Sequence, residues 1–110
     1  MLHGLGVNHL FMPREPALEL AEQGGYILAA PLGFNIRGWY GAPVQLRGPP
    51  GGAPQGPPSG DPPNLRELSE KDAMNVLALV RKEFNIDSRR IYLMGHSMGG
   101  AGTLHLATKY

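Results

Sequence analysis

Apolar residues are distributed along this chain in two patterns. Tyr26-Ile27-Leu28-Ala29-Ala30 is an unbroken run closed by Pro31, and Arg90-Ile91-Tyr92-Leu93-Met94 is a second one closed by Gly95. Short continuous runs of this kind predict strands buried on both faces of a parallel sheet. Between them Ala73, Val76, Leu77, Val80 and Phe84 recur at helical spacing, which predicts a helix with one buried stripe. Ser69-Glu70-Lys71-Asp72 marks its start, the serine as N-cap and Asp72 in the reciprocal capping position. Lys71, Arg81, Lys82 and Glu83 fall largely outside the stripe and form a solvated face. A shorter helix is predicted over 16–23, with Pro16 in its first turn, Ala17, Leu20 and Ala21 on one face, and Gly24 just past its end. A third begins near Met98, where Gly99, Gly100, Ala101 and Gly102 allow close approach to the strands. Helices alternating with buried strands predict an α/β fold, a parallel sheet flanked by helices.

From Gly33 the periodicity dissolves. Gly38-Trp39-Tyr40-Gly41 is the aromatic cluster of this stretch, and it either lines a binding cleft or packs beneath a loop. Residues 41–64 hold eight prolines and six glycines, with too few apolar side chains to offset the entropy of ordering them. That tract predicts an irregular surface loop. With 110 residues, the chain is one domain at most and buries about two-thirds of its unfolded surface.

Charge and cysteine narrow the function little. Ten basic and nine acidic residues are spread without runs, so no surface for nucleic acid or an anionic membrane is indicated. There is no cysteine, hence no disulfide and no thiolate metal site, and the compartment stays open. No apolar run approaches the ~20 residues needed to span a bilayer, and no signal-peptide pattern opens the chain.

The chemistry-bearing stretch is Leu93-Met94-Gly95-His96-Ser97-Met98-Gly99-Gly100. A predicted strand runs into Gly-x-Ser-x-Gly and then into a helix, the context in which a sharp, strained turn raises a serine hydroxyl above a sheet edge. Ser97 is the candidate nucleophile; Gly95 and Gly99 supply the room such a turn needs. The Met98 N–H is one expected oxyanion donor, and a second is expected from the early His3-Gly4-Leu5-Gly6 loop, at Leu5. His3 and Gly4 support that loop. His96, beside the serine, reads as a structural or cleft-wall residue, as do Trp39 and Tyr40. A serine needs a base, yet neither His9 nor His105 has positive support for that role, and the thirteen residues after Ser97 contain no Asp or Glu. No metal or cofactor is implied.

Leu2-His3-Gly4-Leu5-Gly6, the run from Leu18 to Ile27, Ala30-Pro31-Leu32-Gly33, Ser69-Glu70-Lys71-Asp72 and Arg90 to Gly100 together resemble the α/β-hydrolase esterases related to polyhydroxybutyrate depolymerases and feruloyl esterases. The resemblance covers nearly the whole chain outside the Pro/Gly tract. It implies a partial α/β-hydrolase fold and a serine carboxylic ester hydrolase working through an acyl-enzyme, on acyl or aryl esters or polyesters, and it allows secretion. In that fold the strand before the His-Gly loop lies between the two predicted here, and only Met1-Leu2 of it remains; the acid and the histidine expected after the serine are also missing. The chain is therefore expected to be an internal or truncated piece of a longer esterase. Two alternatives stand beside this: a catalytically incompetent α/β fragment, stable only as an oligomer or serving as a binding module, and a prolyl-oligopeptidase-type serine peptidase.

Overall fold

The computed structural model describes residues 1–43 and 60–110. Most of the tract expected to be an irregular loop, residues 44–59, lies outside the described residues. Among the described residues three α-helices form: α1, Ala17–Gly24; α2, Leu65–Glu83; and α3, Met98–Lys109. Short 3-10 turns stand at His9–Phe11, Trp39–Gly41 and Ser88–Arg90.

The expected parallel sheet is not formed: no strand occurs among the described residues, and the chain is helical in its regular structure. The pairing that does occur is an isolated parallel bridge between Leu2 and Gly95. Around it Met1 N donates to Ala29 O at 2.6 Å, Leu2 N to Met94 O at 2.8 Å, and His96 N to Leu2 O at 3.1 Å. Met1-Leu2 thus ties both apolar runs, but two residues are too short to carry a ladder along either. The runs are left open as a result. Tyr92 is 69% exposed, and Ile27 and Met94 are about half exposed, so the burial on both faces that makes such a run a strand is absent.

α1 ends one residue later than expected. Gly25, in the left-handed region at φ 65°, caps it and donates its N–H to the Ala21 and Glu22 carbonyls. Of its predicted face only Ala21 is buried; Leu20 is exposed. α2 starts a turn before Ser69, at Leu65. Ser69 is therefore inside the helix and not its cap, fully buried, with its Oγ accepting the Tyr40 N–H at 3.0 Å. Asp72 likewise serves another segment: its Oδ2 accepts the N–H groups of Gly33 and Phe34, at 2.8 and 3.2 Å. Long-range carboxylate and hydroxyl bonds have taken the side chains that local spacing assigned to capping. Of the predicted stripe Ala73 alone is buried, and Phe84 stands exposed at the helix end.

The core forms where α2 and α3 meet the Trp39–Gly41 turn. Leu2, Tyr40, Ala73, Met98 and Leu106 are its buried members, with Trp39 and Met74 packed against them. Tyr40 is its centre, 0% exposed, and burial pushes its hydroxyl up to about 12. A Cβ at Gly102 would come within 2.7 Å of the Tyr40 Cβ, so glycine in α3 is what lets the helix seat on this ring.

Candidate functional site

Residues 95–97 take the chain from the Leu2 bridge into α3. Ser97 occupies the N-cap position with φ 53° and ψ −112°, a conformation that costs a non-glycine residue about 1–3 kcal/mol and persists only where its surroundings impose it. The surroundings do so with three backbone bonds: His96 N to Leu2 O, Gly99 N to His96 O at 2.8 Å, and Ala101 N to Ser97 O at 3.2 Å. The side chain of Ser97 does not cap α3; the residue is exposed, and its hydroxyl has no hydrogen bond among the described residues. A serine at a helix N-terminus would ordinarily spend its oxygen on the first-turn N–H groups. Here that oxygen is left unspent.

Close packing brings the His-Gly loop onto this turn. A Cβ at Gly99 would overlap the Leu2 carbonyl and lie 2.8 Å from the His3 carbonyl oxygen. One at Gly4 would stand 2.9 Å from Nδ1 of His96, and one at Gly95 would run into the Gly99 carbonyl. The loop itself is held from below. His3 is fully buried, and its N–H donates to the Tyr40 hydroxyl at 3.1 Å. Its Nε2 lies 2.8 Å from Leu32 O and its Nδ1 2.8 Å from Gly4 O, so whichever nitrogen carries the proton donates to a loop carbonyl. The rings of His3 and Tyr40 meet edge to face, 5.6 Å between centroids.

The two residues expected to supply oxyanion donors flank this contact. Leu5 is exposed. Its neighbours' N–H groups are committed, Gly6 to Ile36 O at 3.1 Å and Val7 to Gly4 O at 3.5 Å; the Leu5 N–H has no hydrogen bond among the described residues. Met98 has a buried side chain and a first-turn N–H that helix geometry leaves without an internal acceptor.

The four histidines are placed as follows. His3 belongs to the loop support. His96 is exposed and packs its ring 5.8 Å from that of Phe11. His9 stands in the first 3-10 turn with its Nδ1 buried and without a partner. His105 is in α3, eight residues beyond Ser97 and hence ~12 Å along the axis, its Nε2 2.8 Å from Glu70 Oε2. None of them bonds the Ser97 hydroxyl. Glu70 also accepts from Lys109 Nζ at 2.5 Å and from the Tyr110 hydroxyl at 2.6 Å. The Lys109 and Tyr110 hydrogen bonds, with a smaller contribution from His105, hold its carboxyl at about 2. This tie between α2 and the end of α3 joins residues 35 to 40 positions apart, and no local pattern announces it.

Of the expected cleft walls, Tyr40 lies in the core, Trp39 is half-buried against it, and His96 is exposed. A cleft of about 300 Å³ is instead lined by Gly6, Val7, Asn8, Phe11, Arg14 and Ile36. Sequence reasoning missed it, because Phe11 and Arg14 belong to no periodic element. A second, of about 400 Å³, lies between Ala42-Pro43 and the outer side of α3.

The turn thus sets a strained, exposed serine at the head of α3, beside a glycine loop whose Leu5 N–H has no hydrogen bond among the described residues. The sequence matches the model of the family described as "Putative esterase" over residues 4–110, and the chain belongs to that family. No curated protein and no solved structure matched it.

Proposed function

We propose that this protein is a carboxylic ester hydrolase in which Ser97 is the nucleophile. Ser97 Oγ attacks the ester carbonyl as its proton passes to a base; the alcohol leaves with a proton, and water then hydrolyses the acyl-serine. The N–H groups of Leu5 and Met98 are assigned to the oxyanion, a role worth on the order of 3–4 kcal/mol for each donor. The observation that carries this reading is the Ser97 turn, strained in its backbone and unbonded at its hydroxyl. Incubation with a fluorophosphonate followed by peptide mass analysis tests it. Adduct on Ser97, absent in Ser97→Ala, is expected; an unlabelled Ser97 overturns it.

One observation favours a second reading, that the site binds esters without turning them over: no described histidine bonds the Ser97 hydroxyl. Hydrolysis of a p-nitrophenyl ester separates the two. Turnover that Ser97→Ala abolishes supports the enzyme, whereas binding with no Ser97-dependent turnover supports the second reading.

A further inference from the structure

The cleft of Gly6, Val7, Asn8, Phe11, Arg14 and Ile36 abuts the Ser97 turn through one ring contact, Phe11 against His96. Its apolar surface comes from Val7, Phe11 and Ile36. Its charge comes from Arg14, whose guanidinium stands 4.8 Å from the Phe11 ring centroid. No carboxylate among the described residues forms an ion pair with Arg14, whereas Arg37 pairs with Asp61 and Arg89 with Asp87. Asn8 commits its Oδ1 to the Leu10 N–H at 3.0 Å, which leaves its amide N–H groups available on the same wall. An unpaired guanidinium stacked over an aromatic floor, with an amide donor beside it, is a recognition surface for a planar carboxylate carried on an apolar group.

We infer that this cleft selects esters bearing a free carboxylate on a short alkyl or aryl group, with Arg14 as the specificity-determining cation. As a statement about substrate this rests on the ester-hydrolase reading above; as a statement about binding it does not. Arg14 bonds the carboxylate, Phe11 and Ile36 cover the apolar part, and the ester carbonyl is left toward the Ser97 turn on the His96 side of Phe11. A neutral ester of the same size forgoes the charged hydrogen bonds and binds less tightly.

Titrating the full chain with benzoate and with benzamide, followed by backbone amide NMR, tests the inference without any chemistry at Ser97. Benzoate is expected to shift the Val7 and Asn8 signals and to bind about tenfold more tightly than benzamide, the scale of a hydrogen bond to a charged group, and raised salt should narrow the gap. Arg14→Gln, at an exposed position that leaves the core untouched, should bring benzoate down to the benzamide level, and Arg14→Lys should recover part of the difference. Equal binding of the two, no binding of either, or undiminished benzoate binding by Arg14→Gln overturns the inference. Fluorophosphonate labelling reports separately on Ser97: failed labelling with benzoate preference intact removes the ester reading and leaves the carboxylate site standing.

Discussion

Gly99 and Gly100 are adjacent in the first turn of α3, and alanine at the two should act with opposite sign. At Gly100 an added methyl meets nothing closer than Gly95 O at 3.6 Å, an ordinary contact. The substitution therefore only restricts the unfolded chain and improves helix propensity, a gain of about 0.5–1 kcal/mol. At Gly99 the methyl overlaps the Leu2 carbonyl and sits 2.8 Å from the His3 carbonyl oxygen. Both obstacles are backbone, fixed by the bonds of Leu2 to Met94 and His96, so no side-chain rotation relieves them. Overpacking of this kind costs about 3 kcal/mol at the upper end of its usual range, and the propensity gain returns about 1, leaving roughly 2 kcal/mol of net destabilisation. At about 4–8 °C per kcal/mol for a domain near this size, Gly100→Ala should raise Tm by a few degrees and Gly99→Ala lower it by about 8–16 °C. Thermal melts followed by circular dichroism at the helical band measure both. Since the displaced atoms belong to the His-Gly loop, Gly99→Ala should also slow fluorophosphonate labelling while Gly100→Ala leaves it unchanged. Equal stability of the two variants would show that α3 does not press on Leu2-His3, and the geometry of the site would have to be abandoned.

Three further outcomes are expected. Glu70, held at about 2 against an ordinary 4.5 by its Lys109 and Tyr110 bonds first, contributes stability that is present above its unfolded value and lost as pH falls from about 4.5 toward 2; melts across that window should fall more steeply for the wild type than for Glu70→Gln, and parallel curves would refute the tie. Asp72→Ala strips the acceptor from the Gly33 and Phe34 N–H groups and should cost about 1–3 kcal/mol in urea unfolding. Tyr40→Phe leaves the buried His3 N–H unpaired, for about 1–2 kcal/mol, and should reduce Ser97 labelling as well as Tm; a loss of Tm with labelling intact would show that the loop holds its place without that bond.

What was legible in the sequence was local. Gly95-His96-Ser97-Met98-Gly99 prescribes a strained turn into a helix because Gly99 admits the approach of Leu2 and His3 and Gly95 admits the Gly99 carbonyl, and both the turn and α3 are present. The apolar runs at 26–30 and 90–94 misled, since an uninterrupted apolar stretch records a preference for burial but not whether neighbours exist to provide it. Met1-Leu2 provides one bridge and no more. Ser69 and Asp72 misled differently. Their spacing fits a capping box, yet each is bonded to a segment about 30 or more residues away, and such partners leave no periodic trace. The same is true of Arg14 and Phe11, whose shared cleft comes from the path of an irregular loop.

Tyr40 gives its N–H to Ser69 of α2, takes the N–H of His3 on its hydroxyl, and sets its ring against Gly102 of α3. One residue, through its backbone N–H and its side chain, thus transmits position from two helices to the loop packed against the Ser97 turn. A random-mutagenesis screen scored by Ser97 reactivity should accordingly return hits at Ser69 and Gly102, both buried away from solvent.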